Sequence, residues 1–402
     1  MIRFLFLALC FLAFAYNLFL NSLRRRSEHN PIPDCLKDLY DAEKYETWKN
    51  YSHDKTRLEL FSIAASFLLI AALLGCNAFG FIARLTDNAY LTSIYTMLLY
   101  LLLGTVLSTV FSYISTFRIE ARYGFNKSTK KTFWLDTLKS ALIELLLTTG
   151  LVLLLQLLYT AMGDYILLAF TGVMLLVVLC VTLLFPFFSK IFNKFTPMEN
   201  QALEQQLRGM MEKNGIHIKS VSVMNASLRT TKSNAYFSGM GKTRSIVLYD
   251  NLVNNFTDDE ITAVFAHEMG HALHKDLVRN YIFSFGSIVL MVLSVWALLK
   301  ANVYGAFGFS GINYALTFIL ASECILPLLS PLTDLLSSAF TRKAEYRADR
   351  TAKDEGYAEA LISALKKLGR ENLVDLSPDR TLVALTYSHP TLAQRIEAIR
   401  KD

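Results

Sequence analysis

Seven stretches of this chain are apolar for about the length needed to cross a lipid bilayer: roughly residues 2–22, 58–80, 90–117, 137–161, 165–188, 281–300 and 312–340. Within lipid a backbone must satisfy its own hydrogen bonds, so about 20 mainly apolar residues read as a spanning helix. The composition agrees, with 53% hydrophobic and only 18% charged residues, proportions foreign to a soluble domain. Pro327 and Pro331 fall inside the last stretch and predict a break or kink there. The first stretch has only Arg3 ahead of its apolar core, lacks a clean small-x-small cleavage site and runs into Arg24-Arg25-Arg26. It reads as a retained anchor rather than a cleaved signal.

Basic residues cluster after the first stretch (Arg24 to Arg57) and after the third (Arg118 to Lys131), while the other connectors carry few. By the positive-inside rule those loops are cytoplasmic and the N-terminus is outside. The net charge of +6 is therefore a topology signal and gives no reason to invoke nucleic acid. Cys10, Cys35, Cys76, Cys180 and Cys324 form no CxxC pair, which argues against a disulfide framework or a cysteine–zinc site. Two polar segments, about 189–280 and 341–402, fall on the same cytoplasmic face, so they can share one site. The first reads as a small α+β unit: an amphipathic helix over 197–215, a strand at 218–225, and two short strands around a glycine-containing turn within 234–249.

Inside that unit stands "AVFAHEMGHALHKD", residues 263–276. Thr257-Asp258-Asp259-Glu260 has the form of a capping box, and the apolar spacing continues as a helix. His267 and His271 then lie one turn apart on one face and can converge on a zinc ion, with Glu268 beside it as general base. His274 is a poorer ligand, because seven residues of straight helix separate it from His267 by about 10 Å, and no glycine follows His271 to turn the chain. A further ligand must come from elsewhere. "FTRKAEYRADRTA", residues 340–352, offers Glu345 and Asp349 at helical spacing. Glu345 would complete a His2Glu site, and Asp349 would orient a ligating histidine. A plain solvated charged helix is the simpler alternative.

"HEMGH" followed by "TRKAEYRAD" resembles the integral-membrane zinc proteases of the type I CAAX prenyl endopeptidase family. "YETWKNYSHDKTRLEL" (45–60), "ARYGFNKST" (121–129), "NAYFSG" (234–239), "IVLYDNLV" (246–253) and "SHPTLAQRI" (388–396) fall in the family's order. The related HtpX-type stress proteases lack the first two. The resemblance implies an α-helical membrane protein in which seven transmembrane helices enclose a chamber, with a gluzincin-like α+β zinc domain on the cytoplasmic side. The corresponding division is 1–188 (helices 1–5 with their loops), 189–280 (α+β segment), 281–340 (helices 6–7) and 341–402 (C-terminal segment completing the site). It implies one zinc ion held by His267, His271 and Glu345, Glu268 as base, and Asp349 behind a ligand. It further implies His389 as the group that stabilises the oxyanion, Asn234 and Ala235 on a substrate-binding edge strand, and Arg395 gripping substrate or the zinc domain. Arg342 matches a family arginine, with Thr341 in place of the usual serine.

The expected function is zinc-dependent hydrolysis of peptide bonds near the C-terminus of CAAX-type peptides, prenylated or not. The alternatives are a quality-control protease of broad substrates and a catalytically silent scaffold. The implied partners are a peptide or protein substrate and membrane lipid, with oligomeric state left open. The implied location is a bacterial inner membrane, or the endoplasmic reticulum or inner nuclear membrane in a eukaryote. Glu144, Glu323, Asp334 and Gln156 within the spans would line the chamber or hydrogen-bond between helices.

Overall fold

The computed structural model describes residues 1–238 and 245–401, so the glycine-containing turn expected within 234–249 lies outside the described residues. Among the described residues, six helical stretches are long and apolar enough to cross a membrane: Ile2–Ser27, Ala42–Gly75, Ala89–Glu120, Lys130–Phe185, Asp276–Lys300 and Tyr314–Asp354. Their most apolar windows are only 11–39% buried by protein. Apolar surface left bare on that scale is what lipid covers, so the chain is an integral, multi-pass membrane protein. The fourth stretch is interrupted by a 3-10 turn at Gly163–Tyr165.

In chain order the helices are α1 (Ile2–Ser27), α2 (Ala42–Gly75), α3 (Ala78–Ala83), α4 (Ala89–Ile114), α5 (Lys130–Met162), α6 (Ile166–Phe192), α7 (Gln201–Lys213), α8 (Asp250–Asn255), α9 (Asp258–Leu273), α10 (Asp276–Lys300), α11 (Tyr314–Leu320), α12 (Leu326–Asp354), α13 (Ala358–Glu371), α14 (Arg380–Thr386) and α15 (Leu392–Arg400). Side-chain caps start several of them. Asp41 accepts from the Lys44 N–H at α2, and Asn88 from Tyr90 and Leu91 at α4. Such caps satisfy donors that the first helical turn leaves free. Two π turns, Ser115–Glu120 and Ala321–Ile325, extend α4 and join α11 to α12. The break expected at the prolines takes this second form. Pro327 sits in the first turn of α12, where its missing N–H costs little, and the helix continues through Pro331 to Asp354.

Four strands, β1 (Phe195–Pro197), β2 (Ser220–Met224), β3 (Ala235–Ser238) and β4 (Ser245–Tyr249), form a sheet ordered β1-β2-β4-β3. β2 and β4 run parallel, and β3 pairs antiparallel with β4 at one edge. α7 buries Leu203, Leu207, Met210 and Met211 on one face, the stripe that its amphipathic spacing requires.

The chain has two main cores. One lies among the membrane helices and includes Phe79, Met97, Leu155, Phe170 and Leu316. The other surrounds α9, where Phe265 and Met269 share a cluster with Trp48, Tyr51 and Phe125. The loops after the first and third apolar stretches are therefore part of the housing of α9 rather than bare connectors.

Candidate metal centre

α9 begins at a capping box in which Thr257 and Glu260 exchange hydrogen bonds with each other's backbone. This fixes the phase of the helix, and its two histidines rise from one face with ring centroids 4.9 Å apart. α12 crosses α9 at Gly270, between the two histidines. A Cβ added at Gly270 would stand 2.7 Å from the Ala348 Cα, closer than real contacts allow, so the "G" of "HEMGH" permits the crossing. The crossing carries Glu345 to the histidines: the His267 Nε2 lies 3.5 Å from one Glu345 oxygen and the His271 Nε2 3.3 Å from the other.

The outer nitrogens are already committed. The His267 Nδ1 lies 2.9 Å from the Asp349 Oδ1, and the His271 Nδ1 lies 3.0 Å from the Asp276 Oδ2. With Nδ1–H donated outward, each Nε2 lone pair is left to the space shared with Glu345. Among the described residues, His267, His271 and Glu345 form a set whose potential ligand atoms all lie within 4.8 Å of one another. The Glu345 Oε2 is buried and accepts no hydrogen bond. The nearest fixed cation, the Arg395 Nη1, stands 3.6 Å from it, beyond hydrogen-bond reach, and a buried anionic oxygen in that state is costly unless a cation meets it more closely. Two neutral imidazoles and one carboxylate are the donor set of a three-ligand zinc site with an open position, and the residues present fit one zinc ion.

Each outer partner is itself anchored. Arg395 on α15 donates to both oxygens of Asp349, at 2.9 and 2.6 Å. Asp276, in the first turn of α10, accepts from Arg347 at 2.7 Å and from Arg279 at 3.2 Å. The His389 Nε2 approaches Glu345 at 3.3 Å, and its Nδ1 lies 2.9 Å from the Ser388 hydroxyl. Arg342 donates to the carbonyls of Val383 and Tyr387 around the end of α14 and so holds the loop that carries His389. Ala235 opens the edge strand β3, with Asn234 immediately before it, and the strand packs against α9.

The electrostatics follow from this crowding. Burial pushes the Glu268 carboxyl above the usual carboxylate range, partly offset by the neighbouring His267 and His271. For His271 without a metal, burial opposes the charged form, but Glu345 and Asp276 outweigh it and raise the imidazole to about 9, so binding a metal there displaces the Nε2 proton. His389 moves the other way. Its side chain is 61% exposed, yet the surrounding protein lowers its pKa, with Glu345 pulling against that shift. Arg395 is held charged by Asp349 and Glu345 against its burial.

His274 is exposed and outside the cluster, though not because a straight helix carries it past the site. The helix does end there. Lys275 adopts a left-handed φ of 55° without a glycine, and α10 starts at Asp276. That turn is also why Asp276 was missed: on a straight helix it would not face His271. An acid immediately after the second histidine's final turn was the available signal.

Comparison with known proteins places this geometry. A family profile described as the CAAX prenyl protease N-terminal region with five membrane helices matches residues 22–194, and the profile of peptidase family M48 matches 197–402. The chain belongs to the CAAX prenyl protease family of M48 peptidases. It is 31% identical to a CAAX prenyl protease 1 homolog of Oryza sativa subsp. japonica, over 97% of this chain and 96% of that one. With the CAAX prenyl protease 1 of Saccharomyces cerevisiae it shares 30% identity, over 92% and 88% respectively. The crystal structure of S. mikatae Ste24p superposes with a TM-score of 0.92 at 26% identity, covering 100% of this chain and 99% of that one. Membership in the M48 peptidases and the His2Glu cluster together make this M48 peptidase a zinc-dependent protease.

Proposed function

We propose that the protein hydrolyses peptide bonds near the C-terminus of CAAX-type substrates, at a zinc site held by His267, His271 and Glu345. The observation that carries this reading is the convergence of both histidine Nε2 atoms on the buried Glu345 carboxylate, one on each oxygen, with Oε2 accepting no hydrogen bond. Zinc, when bound, supplies a Lewis acid that polarises a carbonyl and makes water acidic near neutral pH. Glu268, with its carboxyl shifted upward by burial, accepts the proton of the attacking water and passes it to the leaving amine. His389 donates to the carbonyl oxygen as negative charge develops there. The substrate backbone extends the sheet at the free edge of β3, beside Asn234 and Ala235. Asp349 orients His267, and Arg395 acts through Asp349, the role in which it grips the zinc domain.

On this reading the membrane part comprises seven spans. α1, α2 and α4 are followed by α5 and α6 as separate crossings, in keeping with a five-helix profile whose match begins near the end of α1, and α10 and α11–α12 supply two more. The division at 188, 280 and 340 follows, and the clustered arginines and lysines put the zinc domain in the cytoplasm. Glu144, Glu323 and Asp334 line an intramembrane chamber. Glu323 already accepts a 2.6 Å hydrogen bond from Tyr100, and Asp334 lines a cavity of about 450 Å³ with Asn17 and Ser330.

The test is cleavage of a farnesylated CAAX peptide and its unmodified twin by the purified protein, with products mapped by mass. Faster, chelator-sensitive cleavage of the farnesylated peptide at one bond near its C-terminus is expected. Equal cleavage of both at many bonds would favour a broad quality-control protease instead.

A further inference from the structure

A groove of about 410 Å³ runs between α2 and the π turn that follows α4, lined by Asp54, Arg57, Leu58, Phe61, Ile114, Arg118, Ile119 and Arg122. Its walls are apolar, and its rim carries three guanidinium groups and the Asp54 carboxylate, which neutralises that of Arg122. The neighbouring cations are matched by carboxylates: Arg24 with Glu59, Lys55 with Glu120 at 3.3 Å, and Arg122 with Asp54 at 2.8 Å. Arg57 and Arg118 have no such partner among the described residues, and both are exposed. Arg57 does not turn back to the polar domain. Its guanidinium lies 5.8 Å from the ring of Phe61, one helical turn further into the apolar part of α2.

The depth of the groove is marked independently. Tyr113 and Phe117, flanking Ile114 and Arg118, pack with Phe133 and Trp134 into an aromatic cluster, and Trp134 is 54% exposed. Tyrosine and tryptophan gather where headgroups meet acyl chains. Two unneutralised arginines at that level, above an apolar wall between two membrane helices, match a phosphate followed by an acyl chain.

We propose that this groove binds the phosphate headgroup of an anionic phospholipid, with Arg57 and Arg118 as its ligands and the Leu58–Phe61 wall against the acyl chain. The test uses the full-length protein reconstituted in phosphatidylcholine vesicles with and without a photoactivatable phosphatidylglycerol. Crosslinks are expected within 57–61 and 114–122, and Arg57→Ala/Arg118→Ala should retain about 30-fold less of the lipid, at about a kcal/mol per lost cation. Arg57→Lys/Arg118→Lys should keep most of it, which separates lost charge from lost packing. Zinc content and thermal unfolding of the variants serve as the folding check. Equal labelling of wild type and Ala variant would overturn the proposal, as would labelling spread over other helices. So would displacement of the lipid by millimolar inorganic phosphate alone, which would mark a site for a free anion. The wild-type crosslinking map stands even if the Ala variant does not fold.

Discussion

His267 and His271 share a helix and, on the reading above, a metal, yet their supports are built differently. Behind His267 stands Asp349, a carboxylate on α12 gripped at both oxygens by Arg395, whose side chain is only 12% exposed. Behind His271 stands Asp276, in the first turn of the membrane helix α10, bridged to Arg279 and Arg347, which are 48% and 36% exposed. The first relay closes inside the polar domain, shielded from water. The second ties the site to the membrane helices through more exposed pairs. A charge removed from a dry relay leaves its partner stranded, whereas water can replace part of an exposed one. The His267 side should therefore be the more fragile.

The sharpest way to break this comparison is Arg395→Ala. It leaves the Asp349 charge buried with only the His267 N–H as partner, and a loss of about 3–5 kcal/mol in stability is expected, measured by chemical denaturation of the zinc-loaded protein. A loss below that of Asp276→Ala would invert the comparison. Asp276→Ala comes next: zinc affinity should fall by roughly 10–100-fold, read by competition with a chelating dye, while the fold is largely kept. The smallest effect is expected away from both relays. Asp375, in the turn between α13 and α14, is pushed up to about 6 chiefly by burial, with hydrogen bonds from the Ser377 N–H and Ser27 pulling the other way. A carboxyl whose pKa rises on folding holds its proton better when folded. It therefore favours the native state at low pH, and that contribution is lost as pH rises through about 6. Asp375→Asn should stabilise by about 1 kcal/mol at pH 8 and hardly at pH 4. Thermal unfolding at both pH values checks it, and zinc affinity should not move.

The same contrast explains what could be read from the residues. Apolar length placed the membrane helices, and the Thr257 capping box fixed the phase of α9 and hence the pairing of His267 with His271. The Glu345–Asp349 spacing told that both carboxylates share a face of α12, but not that α12 crosses α9. That crossing depends on Gly270, whose lack of a side chain matters only once Ala348 is known to lie against it. The relay through Asp276 was hidden because Lys275 takes a left-handed turn that glycine would have announced. The π turns at Ser115–Glu120 and Ala321–Ile325 leave no trace in hydropathy, since one extra residue per turn barely shifts an apolar pattern. His267's support is thus the one that regular helix geometry reveals, and His271's the one that an irregular turn conceals.

On this reading Glu268 moves the proton while His267, His271 and Glu345 hold the metal. Glu268→Gln keeps the shape of the side chain and removes its basicity. Zinc content by elemental analysis and cleavage of a CAAX-type peptide should be measured on the same preparation. One zinc per chain with cleavage reduced by at least roughly 100-fold is expected, the scale of a lost general base. Full zinc occupancy with cleavage at the normal rate would contradict the account.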